Sequence, residues 1–136
     1  MSRIRVKAPR YIYEPEEEEG VGTIQGQTAG STEEWRVAKA LWRFKIPFIY
    51  QFEIFDSSVR GGIVLDFLVQ TRPLSTPLEV YGRYWHRGDR SSQERLRDAI
   101  VADYFRGKSL PLLIWFASDL QDQEMTDARV RSTIVA

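Results

Sequence analysis

Ile63-Val64-Leu65-Asp66-Phe67-Leu68-Val69 is an apolar, β-branched-rich run broken by one carboxylate, and its reading decides the fold. Bounded by Gly61-Gly62 before it and by Pro73 after it, the run predicts a strand. Its apolar continuity predicts burial on both faces. A carboxylate in such a strand loses its hydration and must be compensated. Asp66 therefore requires a metal ion, a cationic side chain, or a strand end open to solvent.

Working outward, Pro73 and Pro77 bound a turn, and Leu78-Glu79-Val80-Tyr81 reads as a short third strand with a second embedded carboxylate. Side chains alternate faces along a strand, so Glu79 and Tyr81 share one, and a suitable register brings Asp66 to the same side. Two carboxylates a few ångströms apart repel, and a divalent cation between them resolves the conflict. Such a cation can activate water and stabilise charge on a transferring phosphate.

Upstream, Ser31-Thr32-Glu33-Glu34 has capping-box spacing, with Ser31 as N-cap. Trp35, Ala38, Leu41 and Trp42 follow at helical spacing, predicting a helix over 32–45 that Pro47 ends. Residues 48–55, aromatic and β-branched, predict a first strand. Downstream, Ser91 or Ser92 caps a second helix with Leu96, Ala99, Ile100 and Tyr104 on its inner face and Gly107 at its end. Residues 110–116 predict a buried fourth strand. Short links make the first three strands antiparallel. The intervening helix returns the fourth parallel to the third through a right-handed crossover. The expectation is an α/β fold with a mixed four-stranded sheet flanked by helices, in the order αβββαβ. Residues 1–30 read as a flexible arm and linker, 31–118 as the core, and 119–136 as a polar tail with room for one short helix.

The composition is that of one globular domain: 136 residues, 43% hydrophobic and 12% aromatic. Nineteen basic and nineteen acidic residues cancel, which argues against a purely electrostatic nucleic-acid binder but leaves room for a local basic patch. With no cysteine and one histidine, thiol nucleophiles, disulfides and zinc-cysteine sites are excluded. Any metal site must be built from carboxylates and water, which suits Mg²⁺ or Mn²⁺. The N-terminal residues lack a signal peptide's apolar segment, so a soluble, intracellular protein is expected, in the cytoplasm or on the nucleoid, with no membrane partner. In the N-terminal arm, Arg3, Arg5, Lys7 and Arg10 precede a run of glutamates. That arm reads as solvated chain or as a phosphate contact.

Helix with Glu34, strand, strand with Asp66, strand with Glu79, helix, strand resembles the pattern of PD-(D/E)XK nucleases. Gly62-Ile-Val-Leu-Asp66-Phe, Leu78-Glu-Val-Tyr-Gly-Arg-Tyr-Trp-His86, Arg97-Asp98 and Leu113-Ile-Trp115 look most like the very-short-patch-repair endonucleases and related nuclease-like domains, over roughly residues 31–118. The resemblance implies a restriction-endonuclease-like core and a Mg²⁺- or Mn²⁺-dependent endonuclease acting on DNA, with a homodimer as one form. It implies Asp66 as central metal ligand, Glu79 as second carboxylate and Glu34 as an outer contact. His86 would serve as general acid or base or orient a phosphate, while Gln51 would hold a nucleotide or a metal-bound water. Capping alone also accounts for Glu34, packing beside Trp85 for His86, and a surface position for Asp98.

One position departs from the family. Tyr81 stands where the motif carries Lys, or His or Asp in the related branch. With a pKa near about 10, a tyrosine supplies no positive charge and is a poor base, although it can donate a hydrogen bond to a phosphate. Arg83, Lys45 or Arg97 could replace the missing cation; otherwise activity is weak or lost. Beside His86, the 83–97 segment holds Arg83, Arg87, Arg90, Arg95 and Arg97 against only Asp89 and Glu94. With Trp85 to stack on a base, it is the expected DNA contact. The alternative function is a catalytically degenerate nuclease fold that binds DNA or serves as a structural or assembly component.

Overall fold

The computed structural model describes residues 21–55, 62–82 and 92–135, with the backbone alone at 92–94. In chain order the elements are β1 (Thr23–Ile24), β2 (Gln27–Thr28), α1 (Thr32–Arg43), β3 (Phe48–Ile54), β4 (Ile63–Val69), β5 (Thr76–Tyr81), α2 (Ser92–Tyr104), β6 (Leu113–Phe116) and α3 (Gln123–Val130). They form two compact units: Phe48–Ala117 is one, and the segments before Phe48 and after Ala117 make the other. The boundary thus falls after Pro47 rather than at residue 30. The N-terminal arm up to residue 20 lies outside the described residues.

In the first unit, Ser31 caps α1 as expected: its hydroxyl accepts the Glu34 amide at 3.1 Å. The helix ends at Arg43, two residues earlier than the proline alone implies. Lys45 turns to φ +60, and the Lys45 and Ile46 amides donate to the Trp42 and Leu41 carbonyls at 3.0 and 2.9 Å. This is a Schellman closure with lysine in the place glycine usually takes. α3 lies against α1. Arg36 donates to the Leu120 carbonyl at 2.7 Å, Gln123 to the Arg36 carbonyl at 2.9 Å, and Arg43 pairs with Asp127. Residues 23–28, read as linker, instead form a hairpin whose turn residues Gln25 and Gly26 both take positive φ. Ile24 is buried, and a side chain at Gly22 would meet the Trp35 ring at 2.5 Å.

The second unit is a four-stranded mixed sheet in the order β3-β4-β5-β6. β3, β4 and β5 are antiparallel neighbours, and β6 joins β5 in parallel after α2. α2 packs on the sheet: Ile100 and Val101 meet Ile54, Ile63, Leu65 and Leu68, with Ile49, Phe52, Phe105 and Leu112 around them. The inner face of α2 is therefore Arg97, Ile100 and Val101, with Phe105 packing just beyond its end. Leu96 and Tyr104, expected inside, are 60% and 48% exposed, and Ala99 is exposed as well. The helix is rotated by about one position because Arg97, not Leu96, is drawn to the sheet (below).

Three strand expectations are also corrected. β5 begins at Thr76, so Pro77 lies inside a strand, opposite Leu68, rather than in a turn. β4 is buried on both faces only from Phe67 to Val69; Val64 is 40% exposed. β6 is shorter than the expected run, starting at Leu113. No helix among the described residues is long and apolar enough to cross a membrane.

Candidate active site

The β3–β4 ladder runs from Phe48 opposite Val69 to Ile54 opposite Ile63, and the one pair missing from it is Gln51 with Asp66. Gln51 takes φ +59 in mid-strand, a conformation that costs a non-glycine residue roughly 1–3 kcal/mol. Its effect on the pleat can be traced in the packing. Ile49 and Leu68 pack with the α2 core, and so do Phe52 and Leu65. Those residues are three apart along each strand, where an unbroken pleat would put same-face residues two apart. The alternation slips at Gln51 and Asp66 in both strands, while the register stays the same on either side.

The β4–β5 ladder opens at the same place. It pairs Val69 with Thr76, Leu68 with Pro77 and Phe67 with Leu78, and there it stops. The next pair would have been Asp66 with Glu79. The Asp66 carboxylate fills the opening instead: its Oδ2 accepts the Val80 amide at 2.7 Å, replacing a ladder bond with a charge-assisted one. Asp66 is half-buried and Glu79 only 2% exposed. Continued by one step, the register sets Asp66 opposite Glu79 where the two strands separate.

Buried in β5, an inner strand of the sheet, Glu79 cannot remain charged without a partner. Arg97, one turn before the Ile100–Val101 contact of α2, supplies it. Its Nη1 pairs with Glu79 Oε1, and its Nη2 donates to the Val64 carbonyl at 2.5 Å. The sequence placed Arg97 among nucleic-acid contacts and possible cation replacements; its partner here is Glu79. Asp98 is half-buried, with Oδ1 sealed from solvent, rather than a plain surface residue.

Tyr81 is 7% exposed and lies edge-on to Phe116, with ring centroids 5.5 Å apart. It serves as part of the core. Glu34 belongs to the other unit, where it closes the α1 cap, the Ser31 hydroxyl lying 3.3 Å from its Oε2. Arg83, Trp85, His86, Arg87 and Arg90 lie outside the described residues. Among the described residues, no three histidine, aspartate or glutamate side chains come together as a group.

Asp66 and Glu79 are hard oxygen donors of the kind Mg²⁺ and Mn²⁺ prefer. Their donor chemistry fits such an ion, with Arg97 as the competing occupant of Glu79. One contributor was not legible in the sequence: the Val80 amide, which a backbone reading leaves in the ladder. The signal that could have found the Arg97–Glu79 pair is the spacing Arg97, Ile100, Val101, Phe105, which puts a charge on an otherwise apolar helical face.

No family model, no curated protein and no solved structure matches this chain.

Proposed function

We propose that this chain is a divalent-metal-dependent DNA endonuclease built on a restriction-endonuclease-like core. One observation carries the reading: Asp66 and Glu79 occupy opposing positions at the point where the β4–β5 ladder opens. An ordinary sheet has no need of a carboxylate pair there, because ladder bonds would satisfy both backbones more cheaply. The αβββαβ order and the resemblance of the Asp66, Glu79 and Trp85-His86 segments support the same reading. In it, Asp66 and Glu79 hold Mg²⁺ or Mn²⁺, which supplies an activated water and charge stabilisation at a phosphodiester. Asp66 is oriented by the Val80 amide, and the arginines of 83–97 hold the DNA backbone.

A second reading has its own support. Glu79 is already neutralised by Arg97, and Tyr81, at the motif-Lys position, is packed against Phe116. A nuclease fold that kept its architecture and lost its chemistry, acting as a DNA-binding or assembly component, would show both.

Supercoiled plasmid separates the two. Nicking that requires Mg²⁺ or Mn²⁺, stops with chelator and disappears in Asp66→Ala and Glu79→Ala is the expected result. DNA binding in chelator with no cleavage in either metal would overturn the nuclease and favour the second reading.

A further inference from the structure

Arg131, directly after α3, lies over the ring of Phe44, directly after α1, with its guanidinium carbon 5.4 Å from the ring centroid. We propose that Arg131 and Lys45 form a phosphate-binding surface for a nucleic-acid backbone, with Phe44 holding the guanidinium in place. The proposal rests on the DNA reading above and adds to it a contact outside the 83–97 segment.

The packing of α3 on α1 brings these residues together. Asp127 and Arg131 are four apart and share one side of the helix. Asp127 pairs with Arg43, and one turn further on Arg131 meets Phe44, the residue after Arg43. The Arg131 amide closes α3 on the Asp127 and Ala128 carbonyls, and Val130 beside it is fully buried, so the backbone there is fixed. A guanidinium stacked on a ring is already oriented. Its planar fork of donors therefore loses less freedom on engaging a phosphate.

The donors are open. Lys45 and Arg131 are both exposed, and neither makes an ion pair or a side-chain hydrogen bond among the described residues. Asp127, the acid one turn back from Arg131, is engaged by both Arg43 and Gln123. Lys45 follows Phe44 in the chain and holds φ +60, a conformation that glycine adopts at less cost. The lysine brings there a charge that glycine lacks. Guanidinium and ammonium groups donate only, so they select negatively charged acceptor oxygens, and a phosphodiester backbone repeats such oxygens along its length.

Fluorescence anisotropy of a short labelled DNA duplex, with the full chain in chelator over a salt series, tests this. The proteins compared are wild type, the double variant Lys45→Gln with Arg131→Gln, and Arg106→Gln as a control, since Arg106 is exposed and pairs only with Asp103. The double variant should bind about tenfold or more weakly at low salt and lose about two from the slope of log affinity against log salt, one for each phosphate contact, while Arg106→Gln stays close to wild type. Phe44→Leu, which keeps both cations, should bind more weakly at an unchanged slope; wild-type affinity there would overturn the role of the ring. Unchanged affinity and slope in the double variant, with wild type binding well, overturns the surface and leaves the DNA reading standing. So does a loss per charge as large in Arg106→Gln. No binding by wild type at low salt overturns both. A double variant that loses binding to vesicles of phosphatidylserine and phosphatidylcholine but keeps the duplex would assign the surface to a membrane and sink the proposal.

Discussion

Replacing Asp66 with alanine pits two effects of opposite sign against each other. The carboxylate accepts the Val80 amide at 2.7 Å in a strand whose six residues are all buried. Removing it leaves that N–H without its acceptor, at a cost of about 2 kcal/mol. The same change relieves repulsion between Asp66 and Glu79. Bare carboxylates at an ordinary cross-strand spacing of about 5 Å, with an effective dielectric of about 20, would repel by roughly 3 kcal/mol. Taken alone, the second effect would make the variant more stable than wild type. Arg97, in direct contact with Glu79, cancels most of that repulsion, so the lost hydrogen bond should win. Asp66→Ala is therefore expected to destabilise by about 1–2 kcal/mol, and Asp66→Asn, which keeps an acceptor oxygen, by about half as much. Urea unfolding followed by tryptophan fluorescence, with chelator present, should show the Asp66→Ala midpoint lowered by roughly 0.5–1 M. In an Arg97→Gln background the repulsion returns, and the cost of Asp66→Ala should shrink or change sign, a coupling that a double-mutant cycle measures. Wild-type-like or higher stability for Asp66→Ala with Arg97 intact would refute the reasoning, because like-charge repulsion would then govern the site.

Three further outcomes follow from the packing. Tyr81→Lys should lower the thermal midpoint by roughly 5–10 °C, since the ammonium would be buried beside Phe116; an equally stable variant would contradict this. Gly22→Ala should cost about 1–3 kcal/mol in urea unfolding, because the added carbon meets the Trp35 ring at 2.5 Å and the β1–β2 hairpin must shift; a neutral result would show that the hairpin does not pack on α1. Ser31→Ala should cost about 1 kcal/mol by the same assay through loss of the α1 cap.

The order of elements was legible from local chemistry. Ser31 capping α1, the β-branched run of β4, and the crossover that makes β6 parallel to β5 each depend on neighbours in the chain, and each is present. Where a reading depended on a distant partner, it slipped. The inner face of α2 was placed on Leu96 and Tyr104 by hydrophobicity; the face that packs carries Ile100 and Val101, with Arg97 paired to Glu79 eighteen residues upstream. Pro77 looked like a turn because proline cannot donate to a ladder, yet it is accommodated within β5. Residues 23–28 looked like linker because two-residue strands have no periodicity to read, and their turn depends on positive φ at Gln25 as well as at Gly26.

By itself, the sequence determined that two carboxylates would interrupt neighbouring apolar strands and that no thiol or histidine cluster could account for them. Hydrophobic period and capping are local properties, readable over a few residues. Only the tertiary structure decided that the ladder opens between Asp66 and Glu79, that the Val80 amide holds one carboxylate, and that Arg97 holds the other. Those contacts span fourteen and eighteen residues. Desolvation makes them obligatory once the strands are buried, and burial is a property of the assembled sheet rather than of any segment within it.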